Sequence, residues 1–213
     1  LVKVAESNNF DAVEKLVEQY RGRVAAIIFE PICFNVGCSV MRPEFIKGIR
    51  KLCDDEGICM IMDEVITGLR FRPGSAAGYY GVQPDITTFG KALGSGASIS
   101  LVGGKAKVMD ICSPGGIVGV SGTNSGNQLS VYAANACVKM ALEPGFYENI
   151  ESLGGRLYGG MEDLMKKHGL PGHVSGMGAR FALYWGYEDR EIDNDLRLSQ
   201  KLFRRDMANA FIN

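Results

Sequence analysis

The sequence predicts an α/β fold with a mainly parallel sheet, and three observations carry that expectation. Short, continuous apolar runs alternate with stretches whose apolar residues recur at helical spacing. The runs lack the in–out alternation of half-exposed strands, as expected of strands covered on both faces. Several end abruptly in polar or charged residues, where parallel sheets bind their ligands. With 46% of its 213 residues hydrophobic and 22% charged, the chain has the composition of a folded domain and not of a disordered or low-complexity one.

Phe10, Val13, Leu16, Val17 and Tyr20 place a first helix at 10–20. The apolar run at 24–29 is a first buried strand. Pro43 opens a second helix to about residue 55, with Phe45, Ile46, Ile49 and Leu52 on one face. The run at 58–62 gives a strand ended by Asp63-Glu64, and 85–89 a strand ended by Gly90-Lys91. A fourth strand at 99–102 leads through Gly103-Gly104 into a short helix around 105–111. Beyond residue 113 the character changes. A Gly/Ser-rich loop at 113–126 precedes a helix at 127–142, stopped by Pro144-Gly145; a helix at 146–167, a strand or hairpin at 173–185 and a last helix at 196–213 follow. Residues 1–144 are therefore expected to form a larger α/β domain and residues 145–213 the beginning of a second. The chain starts at Leu1 and its last helix lacks a stop signal, so it is expected to be a piece of a longer protein, inactive by itself.

Charge and cysteine usage narrow the partners. A net charge of −1 gives no reason to expect nucleic acid or an acidic membrane. No apolar run approaches the roughly 18–20 residues that span a bilayer, and no signal-peptide pattern is present. Cys33, Cys38, Cys53, Cys59, Cys112 and Cys137 are scattered without CxxC pairs, so reduced thiols in a cytoplasmic protein are expected and a metal site is not. The 28 glycines are about twice the usual share, which points to tight turns or close approach of backbone to a ligand.

Three strands end in groups that can carry chemistry: Glu30, Asp63 and Lys91. Converging strand ends would bring Asp63 and Lys91 to one site. A lysine buried there is costly as a cation, so its pKa falls or it forms a covalent adduct, the behaviour of a Schiff-base lysine. A carboxylate opposite it would keep a pyridoxal phosphate ring protonated. An Asp63–Lys91 ion pair at a sheet edge accounts for the same spacing. Spacing does not choose between them.

Four segments standing in one order add to this: Phe29-Glu-Pro-Ile32, Asp63-Glu-Val-Ile-Thr-Gly-Leu-Arg70, Gly81-Val-Gln-Pro-Asp-Ile-Thr-Thr-Phe-Gly-Lys91 and Ser121-Gly-Thr-Asn-Ser-Gly-Asn127. Together they resemble the class III pyridoxal-phosphate-dependent aminotransferases, and among them the glutamate-1-semialdehyde 2,1-aminomutase group, over essentially the whole chain. The resemblance implies a fold type I transferase, with a mainly parallel large domain and the start of a C-terminal α+β domain. It implies pyridoxal 5′-phosphate as cofactor, a small-molecule amino donor and acceptor, and a homodimer with a shared active site. Amino transfer would pass through pyridoxamine phosphate. Lys91 would be the Schiff-base lysine and the base that moves the proton, and Asp63 would pair with the pyridine nitrogen. Val65 would pack on the ring, Thr123 would bind the cofactor phosphate across the dimer interface, and Glu30 would stand near the cofactor. The family's phosphate-binding loop and ring-stacking aromatic precede Leu1.

Departures refine the expectation. Relatives acting on ornithine or 4-aminobutyrate have a glutamate where this chain has Asn35, which favours the aminomutase-like choice. Gln128 stands where the group usually has proline, and the segment 97–101 departs from the Leu-Pro-Val-Gly pattern common after the lysine. The alternatives are a transaminase of different substrate range (an amine or amino acid with pyruvate or 2-oxoglutarate) and a non-catalytic cofactor-binding module. Gly90-Lys91 is no P-loop, because Asp85 and Ala92 occupy the required glycine and hydroxyl positions. His168 and His173 are expected on solvated surface. Trp185 and the tyrosines near it are expected in the core. Arg70 and Arg72 suit either a substrate carboxylate or a structural ion pair.

Overall fold

The computed structural model describes residues 2–112, 116–188 and 190. Asn9 opens α1 (Phe10–Gln19): its side chain accepts the Ala12 N–H at 3.1 Å, and Val13 and Val17 form the buried stripe. Strand β1 (Ala26–Phe29) is followed by a small antiparallel pair, β2 (Ile32–Cys33) and β3 (Ser39–Val40). Helix α2 (Pro43–Glu56) has Pro43 in its first turn and ends at Gly57, whose φ of 67° is the left-handed conformation that favours glycine. Phe45, Ile46, Ile49 and Cys53 are its buried face.

Next come β4 (Cys59–Glu64), the short helix α3 (Ser75–Tyr80) and β5 (Ile86–Phe89). A 3-10 turn at Lys91–Gly94 leads to β6 (Leu101–Gly104). The four strands form one sheet in the order β1-β4-β5-β6, with β1, β4 and β5 parallel and β6 antiparallel. The last strand reverses because the connection from Phe89 holds only a 3-10 turn, too little for a crossover.

Strand β4 sorts its side chains. Met60, Met62 and Glu64 are buried on the face that packs with α1, α2 and α3; Cys59, Ile61 and Asp63 point the other way and are half-buried. Registers Ile28↔Ile61, Asp63↔Thr88 and Thr88↔Val102 extend that second face across the sheet. Here one expectation fails. The 24–29 run was expected to be covered on both faces, yet Ile28 is 63% and Val102 57% exposed, because the described helices cover the opposite face. At the amino end of β5, buried Asp85 accepts hydrogen bonds from the Met60 N–H (2.8 Å), Arg50 (2.8 Å) and Lys105 (2.7 Å), tying α2, β4 and β6 together.

After β6, α4 (Ala106–Met109) and a 3-10 turn at Asp110–Cys112 precede the Gly/Ser-rich loop, described from residue 116. Then follow α5 (Gln128–Ala141), α6 (Phe146–Lys167) and a hairpin of β7 (Gly172–Met177) and β8 (Arg180–Trp185), which is a sheet of its own. Met177 and Ala182 of the hairpin pack against Ile32, Phe34, Cys38 and Ile66. His173 corrects a second expectation: it is buried, stacked on Tyr184 at 4.9 Å, with Nδ1 2.9 Å from the Tyr187 carbonyl oxygen. Its place within β7 turns it toward β8 and away from solvent. Tyr184 is buried, as expected, and Trp185 half-buried. All six cysteines are free. The expected helix at 196–213 lies outside the described residues.

Candidate active site

Because β1, β4 and β5 are adjacent and parallel, their carboxyl ends share one edge of the sheet. Glu30 follows β1, Asp63 is the penultimate residue of β4, and Lys91 follows β5 after Gly90. Asp63 Oδ1 accepts the Val65 N–H and the Thr88 hydroxyl, each at 3.0 Å. Its Oδ2 has no protein partner among the described residues. Glu30 Oε2 is buried and unpartnered. Burial pushes the Glu30 carboxyl up; the Asp63 charge pushes the same way, and Lys91 opposes both. That coupling places the three ionisable groups in one electrostatic neighbourhood.

Lys91 has no hydrogen-bond or ion-pair partner among the described residues, so the Asp63–Lys91 ion pair is not formed. The expectation that the lysine is buried also fails: Lys91 is exposed, because the described elements cover Leu93 and Gly94 of its turn but not its own side chain. Its φ of 45° is in the left-handed region, unusual for a residue with a Cβ. Gly90 allows the approach to Lys91: a Cβ there would stand 3.3 Å from Val65 Cγ1. Val65 therefore packs directly against the backbone that carries the lysine.

Thr123 lies in an exposed turn ahead of α5, whose first turn is capped by Asn127 Oδ1 accepting the Ser130 N–H at 3.2 Å. The same helix reaches the lysine turn, with Cys137 Sγ 3.1 Å from the Ala92 carbonyl oxygen. Among the described residues no hydrogen bond joins Thr123 to Glu30, Asp63 or Lys91.

Two residues escaped the sequence reading. Thr88 holds Asp63 from the neighbouring strand. Glu64, fully buried, accepts the Thr67 hydroxyl (3.0 Å) and the N–H groups of Ala76 (2.7 Å) and Ala77 (3.0 Å). Burial pushes the Glu64 carboxyl up, and these three donors only partly offset it. The available signal for Glu64 was a second acid closing an apolar strand, with a threonine three positions on. Thr88 is visible only once the strand register is known.

Arg70 donates from Nε to the Ile66 carbonyl at 2.5 Å, and Arg72 stands over the Tyr79 ring at 5.9 Å. Neither makes an ion pair among the described residues. Within those residues no group of three or more His, Cys, Asp or Glu is arranged to hold a metal ion, and no helix is long and apolar enough to cross a membrane.

The model of the family described as Aminotransferase class-III matches residues 3–198. The chain belongs to the class-III aminotransferases. It is 36% identical over 186 residues to glutamate-1-semialdehyde 2,1-aminomutase 1 of Lachnoclostridium phytofermentans, covering 87% of this chain and 44% of that protein. Among solved structures it is similar to an omega-transaminase from Sphaerobacter thermophilus (TM-score 0.83, 32% identity, 91% of this chain and 44% of that one). It is also similar to a glutamate-1-semialdehyde aminomutase from Pseudomonas aeruginosa (TM-score 0.78, 25% identity, 94% and 45%). The chain thus spans less than half the length of these relatives. The family and the fold type I architecture expected from the four motifs both hold.

Proposed function

We propose that the full-length protein transfers an amino group between small molecules with pyridoxal 5′-phosphate as cofactor, as a glutamate-1-semialdehyde 2,1-aminomutase or as a transaminase on the same scaffold. One observation carries the reading. Three adjacent parallel strands end in Glu30, Asp63 and Lys91, and each of these groups keeps an atom that nothing in the described chain satisfies. An orphaned Glu30 oxygen, a free Asp63 oxygen and an unpaired amine form a donor set suited to a protonated ring nitrogen and a carbonyl carbon.

Bound there, pyridoxal phosphate supplies an electron sink conjugated to the substrate nitrogen. Asp63 is oriented through Oδ1 by Val65 and Thr88, so Oδ2 is left to hold a proton on the ring nitrogen. Lys91 would hold the cofactor through its amine and, when that amine is free, would take up a proton at the substrate carbon. Val65 packs on the ring. Glu30, close to both Asp63 and Lys91, adds to the polar wall. Thr123 binds the phosphate of the neighbouring subunit in a homodimer. Supporting that arrangement, the surface around its turn is apolar and open, with Val120 72%, Leu129 79% and Tyr132 72% exposed. Residues 1–144 make up the latter part of the cofactor-binding domain and 145–213 begin the second domain, a division supported by the separate β7–β8 sheet. The six free thiols suit a reducing, cytoplasmic setting.

The test uses the full-length protein with cofactor. Borohydride reduction should fix the cofactor on Lys91, found by peptide mapping; fixation elsewhere, or unreduced cofactor-loaded protein that moves no amino group either within one substrate or to a second, defeats the proposal. Turnover without a second substrate identifies the aminomutase, and a requirement for an amino acceptor identifies the transaminase.

A further inference from the structure

Lys91 adopts a backbone conformation, φ 45°, that persists at a side-chain-bearing residue only where the surroundings enforce it. Its own turn is closed by the Leu93 N–H donating to the Gly90 carbonyl at 3.0 Å. The approach to the turn is set by the loop that follows Asp63. Val65 packs on Gly90, and Gly68 lies against Phe89, the residue before it. A Cβ on Gly68 would stand 2.6 Å from Phe89 Cδ1 and 2.8 Å from the Glu64 carbonyl oxygen. Two residues of the Asp63 loop thus press on the two residues that lead into Lys91.

The loop is stapled into one unit. The Gly68 N–H donates to the Glu64 carbonyl (2.9 Å), the Arg70 N–H to the Thr67 carbonyl (3.2 Å) and Arg70 Nε to the Ile66 carbonyl (2.5 Å). The turn between β7 and β8 seats on its far end. There the Ala179 N–H donates to the Arg70 carbonyl at 3.2 Å. A Cβ on Gly178, itself at φ 58°, would overlap the Arg70 carbonyl oxygen and the Phe71 Cα and Cβ, atoms that cannot swing aside. Tyr158 of α6 holds the turn in place, its hydroxyl donating to the Gly178 carbonyl at 2.5 Å. Tyr184 of β8 ties the same hairpin to the loop after Glu30 by donating to the Gly37 carbonyl.

We propose that the β7–β8 turn is a positioning clamp for Lys91. Tyr158 holds Gly178 on the Arg70–Phe71 backbone, and the stapled Asp63 loop passes that constraint through Gly68 and Val65 to the Phe89–Gly90 backbone. Gly178 and Tyr158 are positioning residues, acting through this series of packed contacts and not on the reacting atoms. The inference rests on the amino-transfer reading for what Lys91 captures.

The test is made on the full-length protein with Gly178→Ala and Tyr158→Phe. The first forces the turn off the loop; the second removes one hydroxyl and keeps the ring that packs on Gly154 and Gly176. Amide exchange is read on the cofactor-free protein. In Gly178→Ala the N–H groups of Gly68 and Arg70, and beyond them those of Leu93 and Ser95 in the lysine turn, should exchange about tenfold faster relative to the β1–β4 ladder. Tyr158→Phe should give the same pattern, about threefold. In the second arm pyridoxal phosphate is added and the mixture is quenched with borohydride at intervals. Label should reach Lys91 about tenfold or more slowly in Gly178→Ala, the penalty of a misplaced nucleophile. If Gly178→Ala does not fold, Tyr158→Phe carries both arms with a slowing of about threefold. Capture at the wild-type rate overturns the clamp. So does exchange that rises only in the hairpin, or equally throughout, since the contact would then be structural alone. Failure of the amino-transfer reading shows separately: wild-type Lys91 takes no label, while the exchange arm still decides the clamp.

Discussion

The two ends of β5 hold carboxylates in opposite conditions. At the amino end, Asp85 is buried and satisfied three times over, by a backbone N–H and two cations. Burial pushes its carboxyl up, but Lys105, the Met60 N–H and Arg50 outweigh that and hold it well below the usual carboxylate range. Near the carboxyl end, Asp63 keeps one oxygen free, Glu30 is raised and orphaned, and Lys91 is unpaired. A single sheet thus separates its duties. Asp85 is fully used in holding elements together, whereas Asp63, Glu30 and Lys91 are left available to something that is not part of the fold.

The sharpest way to break this contrast is at Lys91. Lys91→Ala in the full-length enzyme should lower amino transfer by about three orders of magnitude or more. The melting temperature of the cofactor-free protein should barely move, because the side chain has no ion pair to lose. A large drop in that temperature would mean the lysine is structural after all.

Asp85→Asn should do the reverse, destabilising the protein by about 3 kcal/mol in urea unfolding as Arg50 and Lys105 lose their shared partner. The folded carboxyl titrates lower than the unfolded one, so its contribution is complete above the unfolded value of about 4. It is lost as pH falls toward the folded value. The gap between variant and wild type should therefore be widest at neutral pH and close on acidification.

Glu64→Gln tests whether the carboxyl end also has a purely structural acid. Replacing one carboxylate oxygen by an amide sets donor against donor at the first turn of α3, a loss of about 2 kcal/mol by the same unfolding measurement. The smallest effect is expected at Glu30. Its folded carboxyl titrates above the unfolded value of about 4.3, so wild type loses stability as pH rises from there through the folded value. Glu30→Gln should melt higher than wild type at neutral pH and level with it below the unfolded value. A variant that melts lower at neutral pH would show that Glu30 has a stabilising partner.

Much of this was legible in the chain because it depends on local rules. Pro43 marks a helix start by a fixed φ that acts within one turn, and abrupt strand ends announced Asp63 and Lys91. The small helix α3, only six residues long, carries no helical period and is held by Glu64 from a distance, so it was missed. Burial was also misjudged, since coverage depends on which layer packs where. The apolar run of β1 and the lysine turn were expected to be enclosed, whereas His173 was expected in solvent. Thr88 needed a strand register, which is not written in spacing.

The left-handed backbone at Lys91 has a consequence for how this position can change. Holding a side-chain-bearing residue there costs about 1 kcal/mol or more relative to glycine. Chemistry and conformational preference therefore pull in opposite directions at one residue. In any descendant of this chain released from its reaction, the lysine has nothing to keep it, and the backbone itself favours its replacement.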